Sequence, residues 1–167
     1  MCLESVYASL NDIEGEIVVV DNDSSEDCAS MIRENFPGAR LIVNKDNVGF
    51  SRAANQGAEV AQGDYLLILN PDVVLPEDGL KKVLTYAQDH PDMGALGCRF
   101  IDGTGELLPE CKRNLPGIRA ATSKLFGFDW GYYANDLEEK ETGKVEVLTG
   151  AFMFLKRELY EKVGTRN

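Results

Sequence analysis

The 167-residue chain has few of the side chains that build most protein metal and redox centres. It contains one histidine, His90, and its four cysteines include no C-x-x-C pair. The cysteines are Cys2, Cys28, Cys98 and Cys111. Because structural zinc sites need closely spaced cysteine or histidine ligands, this spacing excludes a zinc finger, and we expect reduced structural thiols. His90 precedes a proline after a predicted helix, so we expect it to be a solvated surface residue.

Basic residues are also scarce in this chain. Its 17 lysines and arginines are outnumbered by 28 aspartates and glutamates, which gives a formal net charge of −11. A non-specific nucleic-acid binder carries a basic face, so we expect no nucleic-acid partner. A site for an anionic ligand must therefore work locally, through a metal ion, backbone N–H groups or a few cations.

Long apolar runs and a targeting leader are missing from the sequence. Continuous aliphatic stretches such as Leu66–Leu69 are short, whereas a membrane-spanning helix needs ~18–20 apolar residues. No charged-then-apolar leader opens the chain. Hydrophobic residues still make up 44% of the composition, which is enough for a packed core. We expect a single soluble, cytoplasmic domain without a transmembrane segment.

Residues 1–100 alternate between helix-like and strand-like segments. The predicted helices are Leu3–Leu10, Glu26–Phe36, Ser51–Gln62 and a segment around Leu80–Ala87. The predicted strands are Glu16–Asp21, Ala39–Asn44, Asp64–Asn70 and Met93–Phe100. This alternation predicts a parallel α/β sheet with right-handed crossovers. Ser24 and Ser25 are the predicted N-caps of the second helix.

The pattern changes after Phe100. A β-hairpin with Gly103 and Gly105 at its turn is predicted first, then a long irregular segment, two strands and a terminal helix. These occupy Ile101–Leu107, residues 109–144, Lys144–Leu148, Ala151–Leu155 and residues 156–164. We expect one domain over residues 1–167.

Polar residues follow three successive predicted strands, at the point where each strand ends. They are Asp21–Ser24, Asn44–Gly49 and Asn70–Asp72. Taken alone, each segment is also typical of a turn, since Asn, Asp, Gly and Pro are all turn formers. Ligands of open parallel α/β sheets bind outside the carboxyl ends of the strands. Three such segments together therefore indicate a ligand site at that edge.

Three segments in series carry a family resemblance: "VVVDNDSSEDC", "NVGFSRAANQGAEVAQGDYLLILNPDVVL" and "LTGAFMFLKRELYEKVG". Together, from Leu3 to Gly164, they resemble the inverting family-2 glycosyltransferases with the GT-A fold, especially the rhamnosyltransferase-like branch. The resemblance implies a Rossmann-like, mostly parallel sheet flanked by helices, with a smaller acceptor-side hairpin and insert region. Residues 1–100 would form the nucleotide-sugar-binding half and residues 101–167 an incomplete acceptor-side half. The sequence also has neither G-x-G-x-x-G nor G-x-x-x-x-G-K-[ST], which disfavours a Rossmann dehydrogenase or a P-loop enzyme.

The resemblance implies a donor site for a nucleotide diphospho-sugar. Asp21 would accept the N3–H of a pyrimidine, Gly49 would let the backbone approach the base or ribose, and Arg52 would reach a phosphate. The implied donor-nucleotide-binding residues are Asp21, Asn22, Asn47, Gly49, Arg52, Asn55, Asn70 and Asp72.

Asp72 is the predicted metal ligand. Mg²⁺ or Mn²⁺ is typically held by one or two carboxylates together with substrate phosphate oxygens, and it offsets the charge of a diphosphate leaving group. The family's Asp-x-Asp motif reads Asn70-Pro71-Asp72 here. That substitution suits a site in which only the second carboxylate meets the metal and the first residue contacts ribose.

The acceptor side is predicted at Thr149, Gly150 and Ala151, which resemble the family segment that faces the transferred sugar and the acceptor. The aromatic-rich Leu125–Tyr133 either lines an acceptor groove or anchors a long insertion by packing. The resemblance implies a donor sugar linked to uridine or thymidine diphosphate, and the most specific form of this prediction is that the sugar is rhamnose. The implied acceptor is a glycan or lipid-linked glycan of surface-polysaccharide or cell-wall synthesis, which allows peripheral membrane association.

One departure from the family concerns the general base that deprotonates the acceptor hydroxyl. The resembled enzymes place this acid in a Glu-Asp motif after a "KVGGFDE"-like segment, whereas this chain reads "KVGTRN". We expect the base to lie beyond residue 167 and the chain to be truncated at both ends. Within the chain, the first alternatives are Asp102, Glu106 and Glu110.

Two other functions stay open at this point. One is a truncated, non-catalytic nucleotide-binding or interaction domain, which the missing base favours. The other is a nucleotidyltransferase on a related sheet, which is disfavoured because no Gly-rich basic loop follows an opening strand.

Overall fold

The structure is a computed structural model that describes residues 1–108, 142–145 and 147–164. Five helices and five strands are assigned within these residues, and their order confirms the α/β class. The helices are α1 (Cys2–Ser9), α2 (Cys28–Asn35), α3 (Phe50–Val60), α4 (Gly79–Asp89) and α5 (Arg157–Gly164). The strands are β1 (Val18–Asn22), β2 (Arg40–Asn44), β3 (Tyr65–Leu69), β4 (Ala95–Leu96) and β5 (Phe152–Lys156).

The strands form one parallel pair and one antiparallel sheet. β1 and β2 pair in parallel, so that Asn22 lies beside Asn44 at their carboxyl ends. The second sheet has the order β3-β5-β4, and both of its pairings are antiparallel. The predicted parallel sheet is thus present in β1–β2, but β3 does not continue that series. It pairs with β5, which comes from the far end of the chain, and local alternation of helices and strands carries no signal for such a partner.

Three local predictions were wrong. The strand predicted at Met93–Phe100 is only the two-residue β4, and within the described part of Lys144–Leu148 only Val147 forms an isolated bridge. The N-cap of α2 is Asp27, whose side chain accepts a hydrogen bond from the backbone N–H of Ser30 at 3.1 Å, rather than Ser24 or Ser25. A carboxylate is an equally good cap. The predicted hairpin is confirmed by an antiparallel bridge between Ile101 and Leu107.

Apolar packing is concentrated where α4 covers the antiparallel sheet. Val83 and Ala87 of α4 pack with Phe152 and Phe154 of β5, all four being buried. The ring of Phe154 also stacks on Tyr65, with centroids 5.1 Å apart. Burying one such phenylalanine contributes roughly 1.5–3 kcal/mol. The helix predicted around Leu80–Ala87 is confirmed as α4, and its buried Val83 and Ala87 pack against β5.

Helix α1 connects the two sheets. Ser9, only 1% exposed, accepts a hydrogen bond from the backbone N–H of Leu80 at 2.9 Å, which ties α1 to α4. Tyr7 stacks on Phe36, just after α2, with ring centroids 5.6 Å apart. On β1, helix α3 packs closely, because a Cβ at Gly57 would lie 3.5 Å from the Val20 side chain. The face of α3 that carries Gly57 is therefore a packing surface.

The predictions for cysteine and histidine also agree with the structure. Cys2, Cys28 and Cys98 are free thiols, while Cys111 lies outside the described residues. Burial raises the pKa of the Cys98 thiol to about 11, so this group stays protonated and unreactive at neutral pH. His90 is exposed at the end of α4.

Candidate functional site

Asp21 lies one residue before the end of β1 and organises the loop that follows. One of its carboxylate oxygens accepts a hydrogen bond from the backbone N–H of Ser24 at 3.1 Å. Asp23, between them, has a positive φ of 66°. Asp21 therefore does form a turn, and this uses one of its two carboxylate oxygens. Its second oxygen accepts no hydrogen bond from the described residues, so it is available to a ligand N–H.

Asn22 and Asn47, both predicted to contact the donor, are hydrogen-bonded to each other. The Asn22 side-chain nitrogen donates to Asn47 Oδ1 at 2.9 Å. Asn22 Oδ1 accepts from the backbone N–H of Val48 at 3.0 Å, and Asn47 Oδ1 accepts from that of Gly49 at 2.9 Å. The loop after β2 is thereby fastened to the end of β1, and the predicted convergence of these two strand ends is present.

Gly49 caps α3 with a φ of +86°, a conformation that side chains with a Cβ rarely adopt. A Cβ built there would meet no atom within 4 Å. The glycine is therefore required by the backbone, and the space beside it is open to an incoming ligand.

The predicted acceptor-side segment packs against the predicted donor-side residues. The backbone N–H of Asn70 donates to the carbonyl of Ala151 at 3.0 Å. A Cβ on Gly150 would lie 3.5 Å from the ring of Phe50, the first residue of α3. Thr149 Oγ1 accepts a hydrogen bond from the N–H of Ala151 at 3.4 Å. Segment 149–151 therefore sits between the end of β3 and the start of α3.

Asn70–Asp72 forms a turn that leaves the Asp72 carboxylate exposed. The carbonyl of Asn70 accepts from the N–H of Val73 at 3.3 Å and from the Cys2 thiol at 3.6 Å. Burial raises the pKa of Cys2, and the negative charge of Asp72 raises it further, so the carboxylate lies near the start of α1. Asp72 itself accepts no hydrogen bond from the described residues.

The fit of a metal ion at Asp72 follows from this exposure. The described residues contain no group of three or more His, Cys, Asp or Glu side chains that could hold a metal unaided. Mg²⁺ and Mn²⁺ often take only one or two protein carboxylates, with phosphate oxygens and water completing the coordination. A single unpaired carboxylate fits that requirement, provided that the ligand supplies phosphate.

Two of the predicted donor-binding residues, Arg52 and Asn55, line a groove of about 650 Å³ between α3 and α5, with Arg157 and Tyr160 on its other wall. The Tyr160 hydroxyl donates to Asn55 Oδ1 at 2.6 Å, so the Asn55 carbonyl serves helix packing. Neither Asp21 nor Asp72 lines this groove. Sequence reasoning missed Tyr160, because nothing in its spacing shows that α5 lies against α3.

Asp102, one of the alternative general bases, is engaged in the hairpin turn. Its Oδ1 accepts hydrogen bonds from the N–H and hydroxyl of Thr104 and from the N–H of Glu106, at 2.8, 2.6 and 3.0 Å. These bonds, the one from the Thr104 hydroxyl first, lower the pKa of Asp102. A low pKa makes a weak base. Glu106 is exposed, and Glu110 lies outside the described residues.

Comparison with known sequences decides the family. The profile of "Glycosyl transferase family 2" matches residues 1–164, which is nearly the whole chain. This chain belongs to glycosyl transferase family 2. The resemblance carried by the three sequence segments is thereby confirmed.

Two curated relatives of this family-2 chain have names that state a function. An N-acetylglucosaminyl-diphospho-decaprenol L-rhamnosyltransferase of Mycobacterium tuberculosis (strain CDC 1551 / Oshkosh) is 24% identical over 166 residues, covering 89% of this chain and 54% of the relative. The minor teichoic acid biosynthesis protein GgaB of Bacillus subtilis is 30% identical over 112 residues, 62% of this chain and 12% of that protein. The chain thus spans about half the length of the rhamnosyltransferase, and much less of GgaB.

Two solved structures share the fold. Mannosyltransferase PcManGT from Pyrobaculum calidifontis, in complex with GDP-Man and Mn²⁺, aligns with a TM-score of 0.62 at 23% identity, over 97% of this chain and 41% of that one. S. aureus TarS 1–349, in complex with UDP, aligns with a TM-score of 0.62 at 16% identity, over 96% of this chain and 43% of that one. The fold of this family-2 chain is therefore of the GT-A type. None of the helices in the described part of the chain has the length and apolar character needed to cross a bilayer.

Proposed function

We propose that this chain is the nucleotide-sugar-binding part of an inverting glycosyltransferase that acts in surface-polysaccharide or cell-wall synthesis. The donor is a UDP- or dTDP-linked sugar, with rhamnose as the leading candidate, and the acceptor is a glycan or lipid-linked glycan. The observation that carries the proposal is the convergence of donor-side and acceptor-side segments: the N–H of Asn70 bonds Ala151, and Gly150 meets the ring of Phe50. Relatives named for rhamnosyl transfer and teichoic acid biosynthesis support the pathway class.

Each part of the donor has a candidate partner in this arrangement. The free oxygen of Asp21 accepts the N3–H of a uracil or thymine. The open space at Gly49 admits the nucleoside against the backbone. Asp72 would hold a bound Mg²⁺ or Mn²⁺, which would supply Lewis-acid stabilisation of the diphosphate leaving group. Thr149–Ala151 faces the sugar that is transferred, because this segment adjoins both Asn70 and Phe50.

A non-catalytic nucleotide-binding domain is the second candidate, and Asp102 favours it. That carboxylate is engaged in its own turn and has a lowered pKa, so it is poorly suited to take a proton from an acceptor. The alternative is that another part of a longer protein supplies the general base. The predicted cytoplasmic location and peripheral membrane association would then belong to that longer protein.

Titration calorimetry on the chain tests the proposal. UDP, dTDP and CDP are each titrated in Mn²⁺ and in excess EDTA. We expect UDP or dTDP to bind more tightly than CDP, and binding to weaken when the metal is removed. The absence of binding by all three nucleotides in Mn²⁺ would contradict the proposed function.

A further inference from the structure

A closed pair of side-chain amides joins the end of β2 to helix α3. The Asn44 side-chain nitrogen donates to Gln56 Oε1 at 2.8 Å, and the Gln56 nitrogen donates back to Asn44 Oδ1 at 3.0 Å. The same Asn44 nitrogen also donates to Asn22 Oδ1 at 3.1 Å. Both N–H bonds of Asn44 are therefore used inside the protein, in a part-buried position where each lost bond leaves a polar group unsatisfied.

The orientation of every amide in this network is fixed by two backbone N–H groups, which can only donate. The N–H of Val48 requires an oxygen from Asn22, so the group that Asn44 presents to that oxygen must be its nitrogen. The N–H of Gly49 likewise requires the oxygen of Asn47. The Asn22 side chain then presents its nitrogen to Asn47, as observed.

One group of the network is left without a partner. Asn47 is exposed, and its oxygen already accepts two hydrogen bonds, from Asn22 and from Gly49. Its side-chain nitrogen donates to nothing in the described part of the chain. Two N–H donors are therefore presented beside Gly49, where a Cβ would meet no atom within 4 Å. Such donors suit an oxygen-rich ligand.

We propose that Asn44 and Gln56 are positioning residues that hold loop 45–49 in one conformation and turn the Asn47 side-chain nitrogen outward, to donate to oxygens of the nucleoside diphosphate. This inference rests on the proposed function and deepens it. Neither residue needs to touch the ligand. Asn44 donates to the Asn22 oxygen that also accepts from Val48, and Asn22 donates to the Asn47 oxygen that also accepts from Gly49. Together these bonds leave the Asn47 side-chain nitrogen facing outward.

Asn44→Asp is the sharpest change, because it keeps the shape while it replaces the donor with an oxygen and adds a negative charge. An aspartate would place an oxygen opposite Asn22 Oδ1, so the Asn22 amide would have to turn and Val48 would lose its acceptor. Gln56→Ala is the second variant. It removes the reciprocal bonds without adding a charge, and so keeps the test valid if the aspartate variant folds poorly. Asn35→Asp is the matched control, since Asn35 donates only to Met31 O within α2.

Two readouts separate positioning from general stability. Amide hydrogen exchange should rise about tenfold or more at Val48 and Gly49 in Asn44→Asp and in Gln56→Ala, as expected when an N–H loses its acceptor. Exchange at Leu67 in β3 should not change. Titration with UDP or dTDP in Mn²⁺ should show roughly tenfold weaker binding for both variants and no change for Asn35→Asp.

The outcomes distinguish the two proposals. Faster loop exchange with weaker nucleotide binding supports the positioning role. Unchanged exchange at Val48 and Gly49, or loosened loop amides with parent-like nucleotide affinity, would overturn it. If the parent chain itself binds no nucleotide, the proposed function fails, and the ligand-facing role assigned to Asn47 fails with it.

Discussion

The two strand systems of this chain are stabilised in different ways. Among the described residues, the buried apolar side chains lie almost entirely on the antiparallel sheet and α4, with Ile32 of α2 as the one exception. The carboxyl ends of β1 and β2 are instead held by side-chain amides: Asn22, Asn44, Asn47 and Gln56. Apolar packing is non-directional, whereas hydrogen bonds fix orientation. We infer that the first region supplies stability and the second supplies geometry for a ligand.

The largest effect is expected from Phe152→Ala in the apolar region. Phe152 is 2% exposed, so its truncation leaves a cavity under α4. We expect a loss of about 3–5 kcal/mol in the free energy of unfolding. Urea titration followed by circular dichroism measures it. Val43→Ala on β2, where the side chain is 48% exposed, is the control and should change stability little. If the two variants lose similar free energies of unfolding, the apolar region does not supply more stability than β1 and β2.

The junction between the regions is tested by Ser9→Ala. The Ser9 hydroxyl is the acceptor for the N–H of Leu80 in a buried position. Removing it orphans that N–H, which costs about 1–3 kcal/mol. The same urea titration reads the change. Ser25→Ala, at an exposed serine, is the matched control. A stability loss no larger than that of the control would show that α1 is not held to α4 by this bond.

The polar region is tested by Asp21→Asn, which keeps the shape and adds a donor. If Asp21 accepts the N3–H of the base, the preference for UDP or dTDP over CDP should shrink by about 1 kcal/mol. Calorimetric affinities for the three nucleotides give the preference. Asp23→Asn is the control, because asparagine tolerates the same positive φ. An unchanged preference would leave Asp21 with only its turn-forming role.

The smallest effect is expected in the hairpin after β4, and it depends on pH. Hydrogen bonds from Thr104 and Glu106 lower the pKa of Asp102 in the folded chain. Stabilisation from a carboxylate with a depressed pKa is complete above its ordinary value of about 3.9 and is lost as the pH falls through the lowered value. Amide exchange at Thr104 and Glu106 should therefore rise as the pH falls through the lowered pKa of Asp102. Asp102→Asn should abolish this pH dependence of amide exchange. If the pH dependence persists in the variant, a group other than Asp102 causes it.

The sequence predicted the parts of the fold that depend on local pattern. The helix around Leu80–Ala87 and the strand Asp64–Asn70 were correctly predicted as α4 and β3, because apolar patterning is a local property of the sequence. Of the apolar run Leu66–Leu69, however, only Leu66 is buried. The pairing of β3 with β5 was not predictable, since its partners, such as Leu69 and Phe152, lie far apart in the chain. Any strand with a similar apolar run would satisfy the local pattern equally well.

The site was predictable to the same depth. The strand ends that carry Asn22, Asn47 and Asn70 were identified from the order of strands and loops alone. The contact between Asn44 and Gln56 was missed, because it depends on how α3 is rotated on β2, and an amide 12 residues away gives no periodic signal. Arg52 and Asn55, which the resemblance assigned to the donor site, line the α3–α5 groove.

We propose that the exposed carboxylate of Asp72, just after β3, holds the metal for a nucleoside diphosphate. Titration of UDP and dTDP, with Mn²⁺ and with EDTA, into the parent, Asp72→Ala and Asp92→Ala tests it most directly. Asp92 is also exposed, but it follows α4 and lies beside Pro91, whose carbonyl accepts a hydrogen bond from Lys156 at the opposite end of the antiparallel sheet. We predict that Asp72→Ala loses the metal-dependent part of the affinity, about 1–3 kcal/mol, and that Asp92→Ala binds like the parent. Equal affinities of Asp72→Ala and the parent in Mn²⁺ would contradict the account.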